Sequence, residues 1–178
     1  MNCNIYLIGF SGTGKTTTGR LLSKLLAKSF VDMDSEIEKL ERLTIPEVFK
    51  AKGEIGFREI ETALLGSTAL ILGQIVSTGG GVPALKKNRE IMKNSGKVVW
   101  LTATPKTILS RLTKQKGLGG SGAARPMLTS DKPLQRIEEL LSERINSYEM
   151  ADLVVNTESR EPREVAKTII EGLNLCVL

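Results

Sequence analysis

The chain contains no histidine, only two cysteines (Cys3 and Cys176) and few aromatic side chains, which make up 4% of its 178 residues. Each scarcity removes a class of function. Without histidine, and with cysteines this far apart, there is no ligand set of zinc-site spacing and no imidazole to act as a general base. Two distant cysteines read as reduced thiols rather than a disulfide framework. Few aromatics and no dense Lys/Arg run leave no nucleic-acid-reading surface, although 25 basic against 20 acidic residues give a net charge of +5. No apolar run approaches membrane-spanning length and no basic leader precedes the first apolar stretch, so a soluble, cytoplasmic protein without a membrane partner is expected. The hydrophobic content of 40% supplies a core for one domain spanning residues 1–178.

What the chain does have is concentrated near its start. Gly9-Phe10-Ser11-Gly12-Thr13-Gly14-Lys15-Thr16 fits G-x-x-x-x-G-K-[ST] without a gap. In such a loop the glycines let successive backbone N–H groups turn inward on a triphosphate, the lysine reaches its outer phosphates, and the Thr16 hydroxyl can ligate Mg²⁺. The flanks suit it: Asn4 to Ile8 reads as a buried strand, and Lys15 to Ala27 carries leucines at helical spacing. Further short apolar runs at Phe30-Val31, Gln74 to Ser77, Lys97 to Leu101 and Asp152 to Val155 predict four more strands. Helices are predicted from Asp34 to about Arg42, Pro46 to Lys52, about Phe57 to Leu72, Ala84 to Asn94, Pro105 to Lys114, about Lys132 to Glu149, and Pro162 to Leu173. Strands alternating with helices predict an α/β fold, a parallel sheet covered on both faces, with ligands beyond the carboxyl ends of the strands.

Three constellations carry chemistry, two of them at such ends. Asp32-Met33-Asp34 follows the second strand; on an extended stretch its two carboxylates would point the same way, toward the phosphate loop. A phosphotransferase needs one carboxylate for the metal and another for the attacking hydroxyl, and we assign Asp32 to the first and Asp34 to the second. Asp34 is also suited to cap the next helix, and the two roles are compatible. Gly53 to Glu61 opens a helix on which Arg58 and Glu61 stand one turn apart, as a functional pair or as an ordinary exposed ion pair. Ser77-Thr78-Gly79-Gly80-Gly81-Val82 places three glycines where backbone N–H groups can approach an anion, or simply turn. Gln115 to Pro126 has four glycines between Gly117 and Gly122 and ends in Arg125-Pro126. It reads as a surface loop or as a mobile lid carrying a guanidinium to a transferring phosphoryl group.

In this order and combination, the motifs resemble those of the shikimate kinase family over nearly the whole chain: Gly9 to Thr16, Asp32-Met33-Asp34, the G-E-x-x-F-R-x-x-E form of Gly53 to Glu61, Thr78 to Gly81, Arg125-Pro126, and Arg144 with Tyr148. Arg125-Pro126-Met127-Leu128 departs from the commoner Arg-Pro-Leu-Leu. The resemblance implies a three-layer P-loop fold with strand order 2-3-1-4-5, a substrate-binding segment at about 33–61 and a lid at about 113–128. It implies ATP-dependent phosphorylation of the shikimate 3-hydroxyl in aromatic amino-acid synthesis, by a monomer. Asp34 would hold the ring hydroxyls and act on the attacking one. Arg58 and Arg144, with backbone from Gly79, Gly80 and Gly81, would bind the carboxylate, Glu61 would fix Arg58, and Phe57 would line the pocket. Lys15 and Arg125 would contact the transferred phosphate. Gly12, Thr13, Gly14, Thr16 and Thr17 would hold the rest of the ATP phosphates, Thr16 and Asp32 the Mg²⁺, and Arg111, Arg160 and Pro162 would flank adenine. A kinase acting on gluconate or a nucleoside monophosphate remains the alternative enzyme; a nucleotide-dependent switch is the alternative of another class.

Overall fold

The computed structural model describes residues 3–117 and 131–176. Among the described residues, five strands form one sheet in the order β2-β3-β1-β4-β5: β1 Asn4–Ile8, β2 Ser29–Asp32, β3 Gln74–Ser77, β4 Gly96–Thr102 and β5 Leu153–Asn156. Every pairing is parallel, with Leu7 of β1 opposite Ser77 on one side and Val99 on the other. Seven α-helices among the described residues connect and cover the strands: α1 Lys15–Leu25, α2 Met33–Glu41, α3 Ile45–Ala69, α4 Lys86–Ser95, α5 Pro105–Gly117, α6 Pro133–Tyr148 and α7 Pro162–Gly172. The expected α/β/α layering and strand order are both present.

The two-residue alternation of strand side chains decides which helices lie on which face. Ile5 and Leu7 of β1 point with Ile75, Val99, Leu101 and Val155 to one side, where Leu22 and Leu26 of the α1 region and Val165, Ala166 and Ile169 of α7 cover them. Tyr6 and Ile8 point the other way with Val76 and Val98, against Leu65 of α3, Met92 of α4 and Tyr148 of α6. With both faces covered, β1 is buried along its whole length, which is why it reads as an unbroken apolar run. Its carboxyl end is therefore a fixed platform, and the phosphate loop leaves from it.

The helices expected at Pro46 to Lys52 and Phe57 to Leu72 are both present, running together as α3 across a kink at Gly53, whose φ of 67° and ψ of −177° are non-helical and suit a residue without a Cβ. One local departure from expectation has a physical cause. Asp34 does not lie on an extended stretch; it sits in the first turn of α2, whose N-cap is Asp32, the Asp32 carboxylate accepting from the Ser35 N–H at 3.3 Å. The capping role open to Asp34 thus belongs to Asp32. The lid at about 113–128 overlaps the end of α5 at Thr113 to Gly117, and the remainder, with Arg125, Pro126, Met127 and Leu128, lies outside the described residues. Cys3 and Cys176 are free thiols. Among the described residues no helix is long and apolar enough to cross a membrane.

Candidate active site

The phosphate loop is built by three glycines with positive φ: Gly9 at 132°, Gly12 at 83° and Gly14 at 94°. A Cβ on Gly9 would run into the Leu101 carbonyl of β4, so close strand packing as well as chain reversal requires glycine there. Lys15 opens α1 and folds back over the loop, its Nζ donating to the carbonyls of Gly9 and Phe10 at 2.9 Å each. That posture holds the ammonium over the cradle, where phosphate oxygens can replace the two carbonyls. The Thr16 hydroxyl donates to Asp32 Oδ2 at 2.7 Å and lies 3.5 Å from the Ser77 hydroxyl. One carboxylate and one or two hydroxyls make an all-oxygen set that fits Mg²⁺, an ion that keeps several waters and completes its shell with substrate phosphates. No group of three or more acidic or thiol side chains is available for a closed metal cage among the described residues.

Beside the loop, a cleft of about 330 Å³ runs from Gly12, Thr13 and Thr17 to Arg111, Arg160 and Pro162. Arg111 is held there by Thr157, donating to its hydroxyl at 2.9 Å and its carbonyl at 2.6 Å, and it reaches the Gly12 carbonyl at 3.4 Å. Arg160 donates to the Thr168 hydroxyl at 2.7 Å and the Asn156 carbonyl at 3.4 Å. Guanidinium planes and a proline ring at the mouth of a phosphate loop can enclose a flat heterocycle.

The other side of the loop faces the glycine turn after β3. Four charged side chains from three helices meet there. A Cβ on Gly79 would stand 2.7 Å from Glu61 Oε1 and 3.0 Å from Asp34 Oδ1, so the two carboxylates, from α3 and α2, converge on one backbone position. A Cβ on Gly81 would collide with the guanidinium of Arg58, and one on Gly80 would be 3.5 Å from Arg144 Nη1. Tyr148, one turn beyond Arg144 on α6, donates to the Gly80 carbonyl at 2.7 Å. The expected residues Asp34, Arg58, Glu61, Gly79, Gly80, Gly81 and Arg144 are thus gathered around one turn. Phe57 is 4% exposed, stacked on Phe49 at 4.2 Å with the Arg58 guanidinium 5.6 Å from its ring, and it reaches the cleft through that cation.

Electrostatics at this turn follow from burial. The Arg58 and Glu61 side chains pair at 2.5 Å, 21% and 2% exposed respectively. Burial pushes the Glu61 carboxyl up to about 7, overcoming the opposing pull of Arg58 and Arg144, while the neighbouring Asp34 charge adds to the rise. For Arg58, burial works to lower the pKa, but Glu61 and Glu54 prevail and raise it. The desolvation penalty therefore falls on the carboxylate, which is the more deeply buried partner. Burial likewise pushes the Tyr148 phenol up to about 12, so it stays a donor to Gly80 at any working pH.

Ser77 and Phe10, which no sequence expectation singles out for a role, also touch this machinery, as does Tyr148 beside Arg144. Serine at the end of a buried strand, next to a triple glycine, was the signal for Ser77; Phe10 occupies a position that the loop motif leaves free.

A phosphate cradle at the tip of the central strand, facing across an oxygen ligand pair to a cleft lined by two arginines and a carboxylate, defines a P-loop small-molecule kinase. The family model described as shikimate kinase matches residues 11–174. Curated shikimate kinases from Thermodesulfovibrio yellowstonii and Sulfurihydrogenibium sp. are 40% and 38% identical, each covering 94% of this chain and 93% and 95% of their own lengths. The solved structure described as shikimate kinase from Acinetobacter baumannii in complex with shikimate superposes with a TM-score of 0.89 at 36% identity, covering 98% of this chain and 94% of the other. The chain belongs to the shikimate kinase family.

Proposed function

We propose that this protein transfers the γ-phosphoryl group of ATP to the 3-hydroxyl of shikimate, giving shikimate 3-phosphate and ADP. The observation that carries this reading is the convergence of Asp34, Arg58, Glu61 and Arg144 on Gly79 to Gly81, directly beside the phosphate loop. A ring bearing a carboxylate and hydroxyls needs a cationic fork at one end and a hydrogen-bond acceptor at the other, and the cleft offers both.

In this mechanism Arg58 and Arg144 grip the substrate carboxylate, with N–H groups of the Gly79 to Gly81 turn in support and Phe57 beneath Arg58. Glu61 holds Arg58 in place. Asp34 accepts a hydrogen bond from the 3-hydroxyl and takes its proton as the oxygen attacks the γ-phosphorus in line with the leaving ADP oxygen. Lys15 exchanges the Gly9 and Phe10 carbonyls for phosphate oxygens and offsets the charge spread over the transition state. Thr16 and Asp32, the latter through water, would hold Mg²⁺, which would supply positive charge to offset that of the transferring phosphate. Gly12, Thr13, Gly14 and Thr17 bind the remaining phosphate oxygens, and Arg111, Arg160 and Pro162 enclose adenine. Arg125, outside the described residues, is assigned to the transferring phosphate on the family resemblance alone. Action as one monomeric domain, a cytoplasmic location and a place in aromatic amino-acid synthesis belong to the same proposal.

A coupled ADP-release assay with shikimate, gluconate and AMP as acceptors tests it. Release with shikimate alone is expected; release with gluconate or AMP instead, or with none, overturns the substrate assignment.

A further inference from the structure

Phe10 is the second residue of the phosphate loop, at a position where phosphate binding places no demand on the side chain. Its ring is nevertheless 1% exposed, packed with Ile108 and Leu112 of α5 and Ile137 of α6. The guanidinium carbon of Arg144 stands 5.4 Å from the ring centroid, within cation–π range. The backbone carbonyl of the same residue accepts from Lys15 Nζ at 2.9 Å and from the Thr13 hydroxyl at 2.8 Å. One residue therefore touches, through its carbonyl, the cation that faces the donor phosphates and, through its ring, a cation that faces the acceptor. Gly80 closes the connection: a Cβ there would be 3.4 Å from the Gly9 carbonyl, 3.5 Å from the Ser11 N and 3.5 Å from Arg144 Nη1. The loop, the glycine turn and Arg144 thus border one methyl-sized space at ordinary van der Waals distance.

We propose that Phe10 is a positioning residue that couples nucleotide binding at Lys15 to carboxylate binding at Arg144. The inference rests on the function proposed above. When phosphate oxygens draw the Lys15 ammonium, its bond to the Phe10 carbonyl is weakened or exchanged. The Phe10 peptide then settles against the phosphate, and the ring, carried on the same Cα, resets the platform under Arg144. A carboxylate seated on Arg144 acts in the reverse direction through the same contact. Because a coupling free energy between two ligands is reciprocal, each substrate should tighten the other by the same factor. The Phe10 ring supplies the difference in contacts between the two states that such coupling requires.

Calorimetric titration of the protein with shikimate, in the absence and presence of saturating ADP and Mg²⁺, reads this coupling. In the natural protein shikimate is expected to bind at least about fivefold more tightly with ADP present. In Phe10→Leu the ratio should fall to below about twofold, and in Phe10→Tyr, which keeps the ring, it should be retained. A purely structural role would weaken both titrations together and leave the ratio unchanged. If Phe10→Leu does not fold, Phe10→Met removes the ring with a flexible apolar filler and takes its place. A natural protein that binds both ligands, with a ratio that Phe10→Leu or Phe10→Met leaves intact, overturns this inference alone, as does a ratio of one in the natural protein. Binding of ADP without any binding of shikimate overturns the proposed function, and this inference with it.

Discussion

Replacing Glu61 by glutamine should change how the stability of this protein responds to pH. The side chain is 2% exposed and hydrogen-bonded to Arg58, so Glu61→Gln preserves shape and an oxygen acceptor while removing the titration. In the folded protein burial raises the carboxyl to about 7, against 4.5 for an unperturbed glutamate. Below pH 4.5 both the folded and the unfolded chain hold the proton. Between 4.5 and about 7 the unfolded chain releases it and the folded chain keeps it, so the unfolded state binds fewer protons and stability declines as pH rises. Above the folded pKa both forms are ionised and the loss is complete. At about 1.4 kcal/mol per pH unit, that interval corresponds to about 3 kcal/mol. Urea unfolding of the natural protein and of Glu61→Gln, from about pH 4 to about pH 8, isolates this contribution because every other carboxyl is common to both. The difference in unfolding free energy should move in favour of the glutamine variant by about 3 kcal/mol across the range. A difference that stays constant with pH, or moves the other way, would refute the burial argument for this turn.

Other substitutions probe the same turn. Asp34→Asn keeps the side-chain size but removes the proton acceptor; kcat should collapse while ATP affinity, measured by titration, is retained, and an active variant would remove the base assignment. Arg58→Ala leaves the substrate carboxylate and buried Glu61 without their cation, so shikimate affinity should weaken by on the order of 2–4 kcal/mol, read as a rise in Kd larger than the fall in kcat. Gly79→Ala introduces a methyl 2.7 Å from Glu61 Oε1 and 3.0 Å from Asp34 Oδ1, separating the carboxylates. It should depress kcat/KM for shikimate at least about tenfold while leaving ADP affinity within about twofold; equal losses in both would point to general disruption.

Much of this architecture is legible in the chain because it is local. The phosphate loop is contiguous, its strand and helix carry their own periodicities, and prolines mark the starts of α3, α5, α6 and α7. Strand order is not local: nothing in the apolar runs says that β3 lies between β2 and β1, and that order came from family resemblance. The same limit applies within the site. Arg58 and Glu61 are three residues apart and visible as a pair, whereas Arg144 meets Gly80 and Phe10 only through the packing of α6 on the sheet end. The Thr16 to Asp32 hydrogen bond likewise depends on two neighbouring elements docking. The strand before it makes Asp34 read as extended, but Asp32 caps α2 and turns the chain into helix from Met33. That turn carries the Asp34 carboxylate toward Gly79 and Glu61, a tertiary outcome that two-residue alternation cannot foresee.

The central claim is that the cleft beside the phosphate loop presents the 3-hydroxyl of shikimate to ATP. Incubating the protein with shikimate, ATP and Mg²⁺ and recording the phosphorus and proton NMR spectra of the product tests it most directly. One phosphomonoester is expected, with its phosphorus coupled to the proton on C3. A phosphate on another hydroxyl, or ATP consumed to ADP and inorganic phosphate with shikimate unchanged, would contradict it.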